Sequence, residues 1–169
     1  MMDNKTILQI AIHQSAIDLS CQPDDFRSLQ NKVVISSENA EARKYLTLPF
    51  FCHLVSYGNN IVASVDTSVV DIVDSYINKF EVGHCFETPN LYVLNKALEK
   101  HGMQVCFVAE YFLPDLEQLT LLPCDYDLKI LKPDELTDLY LTEWDNALCK
   151  DRKHLEVIAV GAYDQGKIV

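Results

Sequence analysis

Two adjacent pairs in the chain set a thiol beside an imidazole, Cys52 with His53 and His84 with Cys85. Neutral histidine and thiolate are zinc ligands, and a cysteine next to a histidine is the raw material of a nucleophile. Neither pair has ligand spacing such as CxxC or HxxxH, and neighbouring residues on a strand point to opposite faces. No third group that would orient a Cys–His pair can be named, so neither a metal nor a thiol nucleophile is expected. Glu110, followed by Tyr111 within the apolar run 105–113, is the most unusual charge by context. Buried, its carboxyl would have a raised pKa and could serve as a base; the plainer reading puts it where a strand meets solvent.

The elements that would hold these residues follow from apolar spacing and from caps. Leu8, Ile12, Ala16 and Leu19, after Asp3 or Asn4 as cap, lie on one face of a first helix. A short strand at 33–35 and a short helical segment at 41–46 follow, the latter ending before Pro49. Runs 51–57 and 61–65 flank Gly58-Asn59-Asn60, residue types that tolerate positive φ, and predict a hairpin. Val69, Ile72, Val73, Tyr76, Ile77 and Phe80 form a helical stripe with Thr67 or Ser68 as cap. Thr88 as cap, Pro89 at the first position, Leu91, Leu94 and Leu98 inside and Gly102 at the end define another helix. The run 105–113 is apolar on both faces apart from Glu110, which predicts an interior strand.

Pro114, Pro123 and scattered acids then interrupt both periodicities, placing a domain boundary there: residues 1–115 form an N-terminal α/β domain and 116–169 a second one. In the second, 126–131 is a strand and Pro133, with Asp134 and Glu135, opens a helix that turns Leu136, Leu139 and Tyr140 inward. Thr142 and Asp145 suggest a capping box for a second short helix carrying Trp144, Ala147 and Leu148. A long apolar strand at 155–163, a turn at Asp164-Gln165-Gly166 and a returning strand from Lys167 complete the pattern. The fold class is α/β, a mixed sheet with helices.

With 169 residues, 49% of them hydrophobic, the chain can bury a core. Fourteen Lys and Arg against 25 Asp and Glu give a formal charge of -11, which opposes attraction to nucleic acid or anionic lipid surfaces. No run approaches the roughly 18 apolar residues of a spanning helix, and 7–12 lacks the flanks of a signal peptide. Six widely spaced cysteines, at 21, 52, 85, 106, 124 and 149, read as reduced thiols. A cytoplasmic location is expected.

A strand, two short helices, a strand, a tight turn and a third strand is the order with which the GNAT superfamily of N-acetyltransferases opens. Asp127-Leu128-Lys129-Ile130-Leu131-Lys132-Pro133-Asp134-Glu135-Leu136 resembles its first strand and helix start, and the stretch from Leu155 to Val169 resembles its second strand, hairpin turn and third strand. Glu143-Trp144-Asp145-Asn146-Ala147-Leu148-Cys149, together with Leu48-Pro49-Phe50 and the hairpin around Gly58, is similar to a bacterial two-domain group of that superfamily. The resemblance implies acetyl transfer from acetyl-CoA to an amine, and a fold in which residues 116–169 supply only the opening strand-helix-helix-strand part. It also implies an acceptor side of the cleft at the first two helices, hence Glu143, Trp144 and Asn146 near an amine. A carboxylate and an indole suit a cation, each contributing about 0.5 to 2 kcal/mol. The alternative reading has Trp144 filling the core and Glu143 solvated.

The family holds the acetyl-CoA pyrophosphate on a glycine-containing loop at a helix N-terminus, where backbone N–H groups converge on the anion. The five glycines here, at 58, 83, 102, 161 and 166, are too scattered for such a loop, so no cofactor-binding or catalytic residue is carried over. The acids Asp115, Glu117, Asp125, Asp127, Asp134, Glu135 and Asp138 are a solvated surface that could steer a cationic acceptor. Two functions remain open: an acetyltransferase whose full-length form continues past Val169, with this chain inactive alone, or a non-enzymatic interaction or regulatory module. A chain stopping in its third strand is expected to expose an edge and to form a homodimer through it.

Overall fold

The computed structural model describes residues 2–169, and the chain divides into two compact units with the boundary between Leu119 and Thr120. Both mix helix and strand, so the chain is α/β.

The first unit is built on a three-stranded sheet in the order β1-β3-β2, with β1 at Lys32–Ile35, β2 at Cys52–Ser56 and β3 at Ile61–Val65. β3 runs parallel to β1, with Val33 opposite Ala63, and antiparallel to β2, with Leu54 opposite Ala63. Helix α1 (Asn4–Leu19) covers one face. Its N-cap Asp3 accepts from the Thr6 amide at 2.7 Å, and Ser20, at φ 61°, closes it in the left-handed conformation. Ile12, Ala16 and Leu19 pack with Phe26 and Val62. Leu8 of the expected stripe stays exposed, so the buried face begins one turn later.

Helices α2 (Val70–Ile77) and α3 (Thr88–Leu98) cover the other face, where Val73, Tyr76, Ile77, Leu94 and Leu98 meet Ile61, Ala63 and Val65. The alternation along β3 explains both layers, because Val62 points to α1 while its neighbours point to α2 and α3. The cap before α2 is Asp66, not Thr67 or Ser68: its carboxylate accepts from the Ser68 amide at 2.8 Å and starts a 3-10 turn at Thr67–Val69. Glu87 holds the N-cap position of α3, with Thr88 already helical and Pro89 in the first turn. Gly102, at φ 72°, stops the helical run, a conformation that costs glycine little.

Two expected elements of this unit do not form. Segment 41–46 makes turns, not a helix. The Asn39 side chain accepts the Glu41 amide and Asp18 takes the Arg43 amide, so side chains claim the donors that a one-turn helix would need. Segment 105–113 is irregular and belongs to no sheet among the described residues, and beyond Val105 it is exposed.

The second unit holds the sheet β4-β5-β6, with β4 at Asp127–Leu131, β5 at Ala159–Asp164 and β6 at Lys167–Ile168, antiparallel throughout. Gln165 and Gly166, both at positive φ, make the turn between β5 and β6. The expected helices are 3-10 segments at Pro133–Leu139 and Thr142–Trp144, and a third, Lys150–Leu155, takes the start of the expected long strand. The Lys132 amide donates to Glu135 at 2.9 Å, which secures the turn at Pro133. Leu131, Leu136 and Leu148 form a small core with Trp144, Leu139, Tyr140 and Ala159 against it.

Candidate functional site

Glu143, Trp144 and Asn146 sit on and just after the 3-10 segment Thr142–Trp144. Its N-cap position is Leu141 and no side chain caps it, so Thr142 and Asp145 form no capping box; the Asp145 amide instead donates to the Thr142 carbonyl. Trp144 is half-buried against Leu131, Leu136 and Leu148, while Glu143 and Asn146 are exposed. One part of the indole is thus taken up by packing, while its partly exposed remainder lies on the same segment as Glu143. Two surface cavities, of about 240 and 420 Å³, run along α1 in the first unit, and His13 lines both.

The two Cys–His pairs separate by environment. Burial pushes the Cys52 thiol up to about 12, and burial likewise raises the Cys85 thiol, so both stay protonated at neutral pH. Tyr76, itself pushed up to about 12 by burial with Cys85 and Cys52 adding, donates to the Cys85 carbonyl at 2.6 Å. His84 is on the surface, its pKa raised by a 2.9 Å bond to Glu87 and by the charges of Glu87 and Glu81. Among the described residues no three His, Cys, Asp or Glu side chains are grouped to hold a metal. Glu110 and Tyr111 lie exposed in the irregular segment after α3, so Glu110 is no buried base. All seven acids of the run are exposed, though Asp115 accepts from Asn4 at 2.7 Å and Glu135 serves the turn described above.

The densest polar constellation was not anticipated. Asp18, on the buried face of α1, has no exposed surface, and its carboxylate accepts from the Arg43 amide at 2.9 Å, from Gln14 at 3.0 Å and from the Arg43 guanidinium. Burial alone would lower the Arg43 pKa, but the bond and charge of Asp18 outweigh it and hold it raised. Arg43 also donates to the Tyr45 hydroxyl at 3.0 Å. His53 stacks on Phe50 with ring centroids 4.4 Å apart, and its pKa is lowered by burial first and by the Arg43 charge second. The group is a satisfied ion pair beside a neutral imidazole. It fastens loop 37–50 to α1 rather than offering a reactive atom. The sequence signal was slight: one acid inside the stripe Ile12, Ser15, Ala16, Leu19.

Cys149 is the other residue that spacing could have flagged, with Arg152 three positions on. A bond from Arg152, more than the burial that opposes it, lowers the thiol pKa. As for acetyl-CoA, the glycines do not fit its pyrophosphate: Gly58, Gly102 and Gly166 sit at positive φ in turns, Gly161 is inside β5 and Gly83 begins a four-residue 3-10 segment. None opens an α-helix.

No protein-family model matches the chain, and no curated protein or solved structure is significantly similar to it. No helix among the described residues is long and apolar enough to cross a membrane.

Proposed function

We propose that the chain is a cytoplasmic GNAT-type protein of the bacterial two-domain kind, whose full-length form moves acetyl from acetyl-CoA to an amine. In this reading residues 1–169 lack the glycine loop of the cofactor site, and acetyl transfer needs the full-length form. The supporting observation is the second unit's order: β4, short helical segments, β5, a tight turn and β6, with Leu131 opposite Ala159 and Tyr163 opposite Ile168. That is the order in which the superfamily's fold begins, and it encloses Glu143, Trp144 and Asn146 in the connection that would face an acceptor. Exposed Glu143 and Asn146 are free to meet an amine.

The test is the DNA immediately after codon 169. An in-frame continuation carrying a glycine loop ahead of a helix is the expected result, and a stop at that position in several independent isolates would overturn the enzymatic reading. Calorimetry of the chain with acetyl-CoA is expected to give no binding heat.

The second reading is a non-enzymatic interaction module, favoured by the apolar face that Leu128, Ile130 and Val160 leave exposed on sheet β4-β5-β6. In that reading β6, paired on one side only, is the edge through which two copies join. Sedimentation that finds a strict monomer at high concentration would remove it.

A further inference from the structure

Strand β2 is an edge strand without the usual protection. Among the described residues its outer side has no neighbour in the sheet β1-β3-β2, and its residues Cys52, His53, Leu54, Val55 and Ser56 include no lysine, no proline and no bulge. Edges of this kind are normally blunted or covered, because a row of free amides and carbonyls templates further pairing. All five residues are only half-exposed, as suits a strand that lacks one neighbour.

The same unit contains a segment with the complementary lack. Residues 106–113 form no helix, turn or strand, and among the described residues none of their backbone amides donates to another backbone group. Phe107, Val108, Tyr111, Phe112 and Leu113 are all exposed there. Its composition is that of a strand, rich in aromatic and β-branched residues.

The start of that segment is already fixed on α3, over the core that β2 also covers. The Val105 amide donates to the Asn95 side chain of α3 at 2.8 Å, and Val105 packs against the same buried cluster, Ile61, Ala63 and Leu98 among it, that Phe51, Cys52 and Leu54 pack against. The His101 ring, just before it, lies 6.0 Å from the Phe51 ring. The chain thus leaves α3 next to the beginning of the unprotected strand. Nine residues from Val105 span roughly 30 Å when extended, more than the roughly 17 Å of β2.

We propose that segment 105–113 docks along the free edge of β2 as a fourth strand, parallel to it, converting β1-β3-β2 into a four-stranded sheet and giving the first unit a closed and an open form. Val105 already belongs to the α2 and α3 side, so alternation puts Phe107 and Ala109 on that side and Cys106 and Val108 on the α1 side, beside Val55 and Phe50. Glu110 then falls past Ser56, level with the hairpin turn, where its carboxylate keeps its water. The one charge in the run therefore does not oppose closure. The tether favours the chain's own segment over any free strand, since docking a segment already held at one end closes only a short loop.

Amide hydrogen exchange on the full chain tests this. Closure predicts that amides within 106–109, and the outward-facing amides of β2, exchange about 100-fold or more slowly than an unpaired peptide, independently of protein concentration. Val108→Pro removes a donor and is expected to return the neighbouring amides to fast exchange and to lower the unfolding midpoint. Leu121→Pro, at an exposed site outside the segment, is the control expected to change neither. Free-peptide exchange rates across 106–109 in the wild-type chain would overturn the proposal whether or not the proline variant folds. So would protection that appears only as sedimentation reveals a dimer, which would mean the segment docks on a second copy.

Discussion

Strands β3 and β4 are each five residues long, yet every residue of β3 is buried while four of the five in β4 are exposed. The difference lies in what surrounds them. β3 has a strand on each side, α1 above and α2 with α3 below, so both directions of its alternating side chains meet a layer. β4 has one neighbouring strand and short 3-10 segments over one face, so Leu131 is buried while Leu128 and Ile130 point to solvent. Hydrophobic sequence alone does not make a core, because apolar area is stabilising only where a second layer removes it from water.

The sharpest test of the first unit's more elaborate construction is Arg43→Ala. It leaves the Asp18 carboxylate buried with only Gln14 and the residue 43 amide as donors. A loss of about 3 kcal/mol is expected, the low end for a broken buried pair, because Arg43 is itself partly solvated. Denaturation followed by β3 amide signals measures it. Trp144, the chain's single tryptophan, reports the second unit separately and should keep its fluorescence midpoint.

Next in size is a matched truncation. Ile77→Ala removes a side chain with no exposed surface and is expected to cost about 2 to 5 kcal/mol. Ile130→Ala, at a residue 68% exposed, should stay within about 0.5 kcal/mol. A large loss for Ile130→Ala would mean that the apolar face of β4 and β5 is covered in solution, and the contrast between the two sheets would then disappear.

What could be read from the residues follows the range of each interaction. Asp3 as cap, the glycine of the β2–β3 turn, Pro89 and Gly102 act within a few positions, and the helices and hairpin they delimit are present. Asp18 and Arg43 are 25 residues apart, so nothing local marks Asp18 as buried rather than one more acid on a helix. The same limit explains segment 105–113. Its pattern states a preference for strand, but a strand exists only with a partner, and pattern does not name one. At the acceptor candidates, Trp144 was legible as an indole near a helix end, while the small core that takes up its ring depends on Leu131, Leu136 and Leu148 meeting in space.

A smaller effect probes the interior of β3. The Ser64 hydroxyl is buried without a hydrogen-bond partner among the described residues. Ser64→Ala removes an unsatisfied group for one methylene-sized change, and a gain of about 1 kcal/mol is expected in the same β3 signals. A loss instead would reveal a partner for the hydroxyl, and with it a polar site in the middle of the best-packed strand.

The subtlest prediction concerns protons. His53 has its pKa lowered from the ordinary 6.5 by burial and by Arg43, so the unfolded chain takes up a proton at this site more readily than the folded one. Its contribution is fully present above pH 6.5 and is lost as pH falls from there through the folded value. His84, on the surface and raised by Glu87, has the opposite sign: its contribution is present below 6.5 and is lost as pH rises through its folded value. His53→Gln should therefore flatten the decline of first-unit stability on the acid side of 6.5, and His84→Gln the decline on the alkaline side. Unfolding midpoints from pH 5 to 8 measure both slopes, the range in which histidine titrates. If His53→Gln leaves the acid-side slope unchanged, the imidazole is hydrated rather than enclosed between Phe50 and the Asp18–Arg43 pair, and loop 37–50 is open to water at that point.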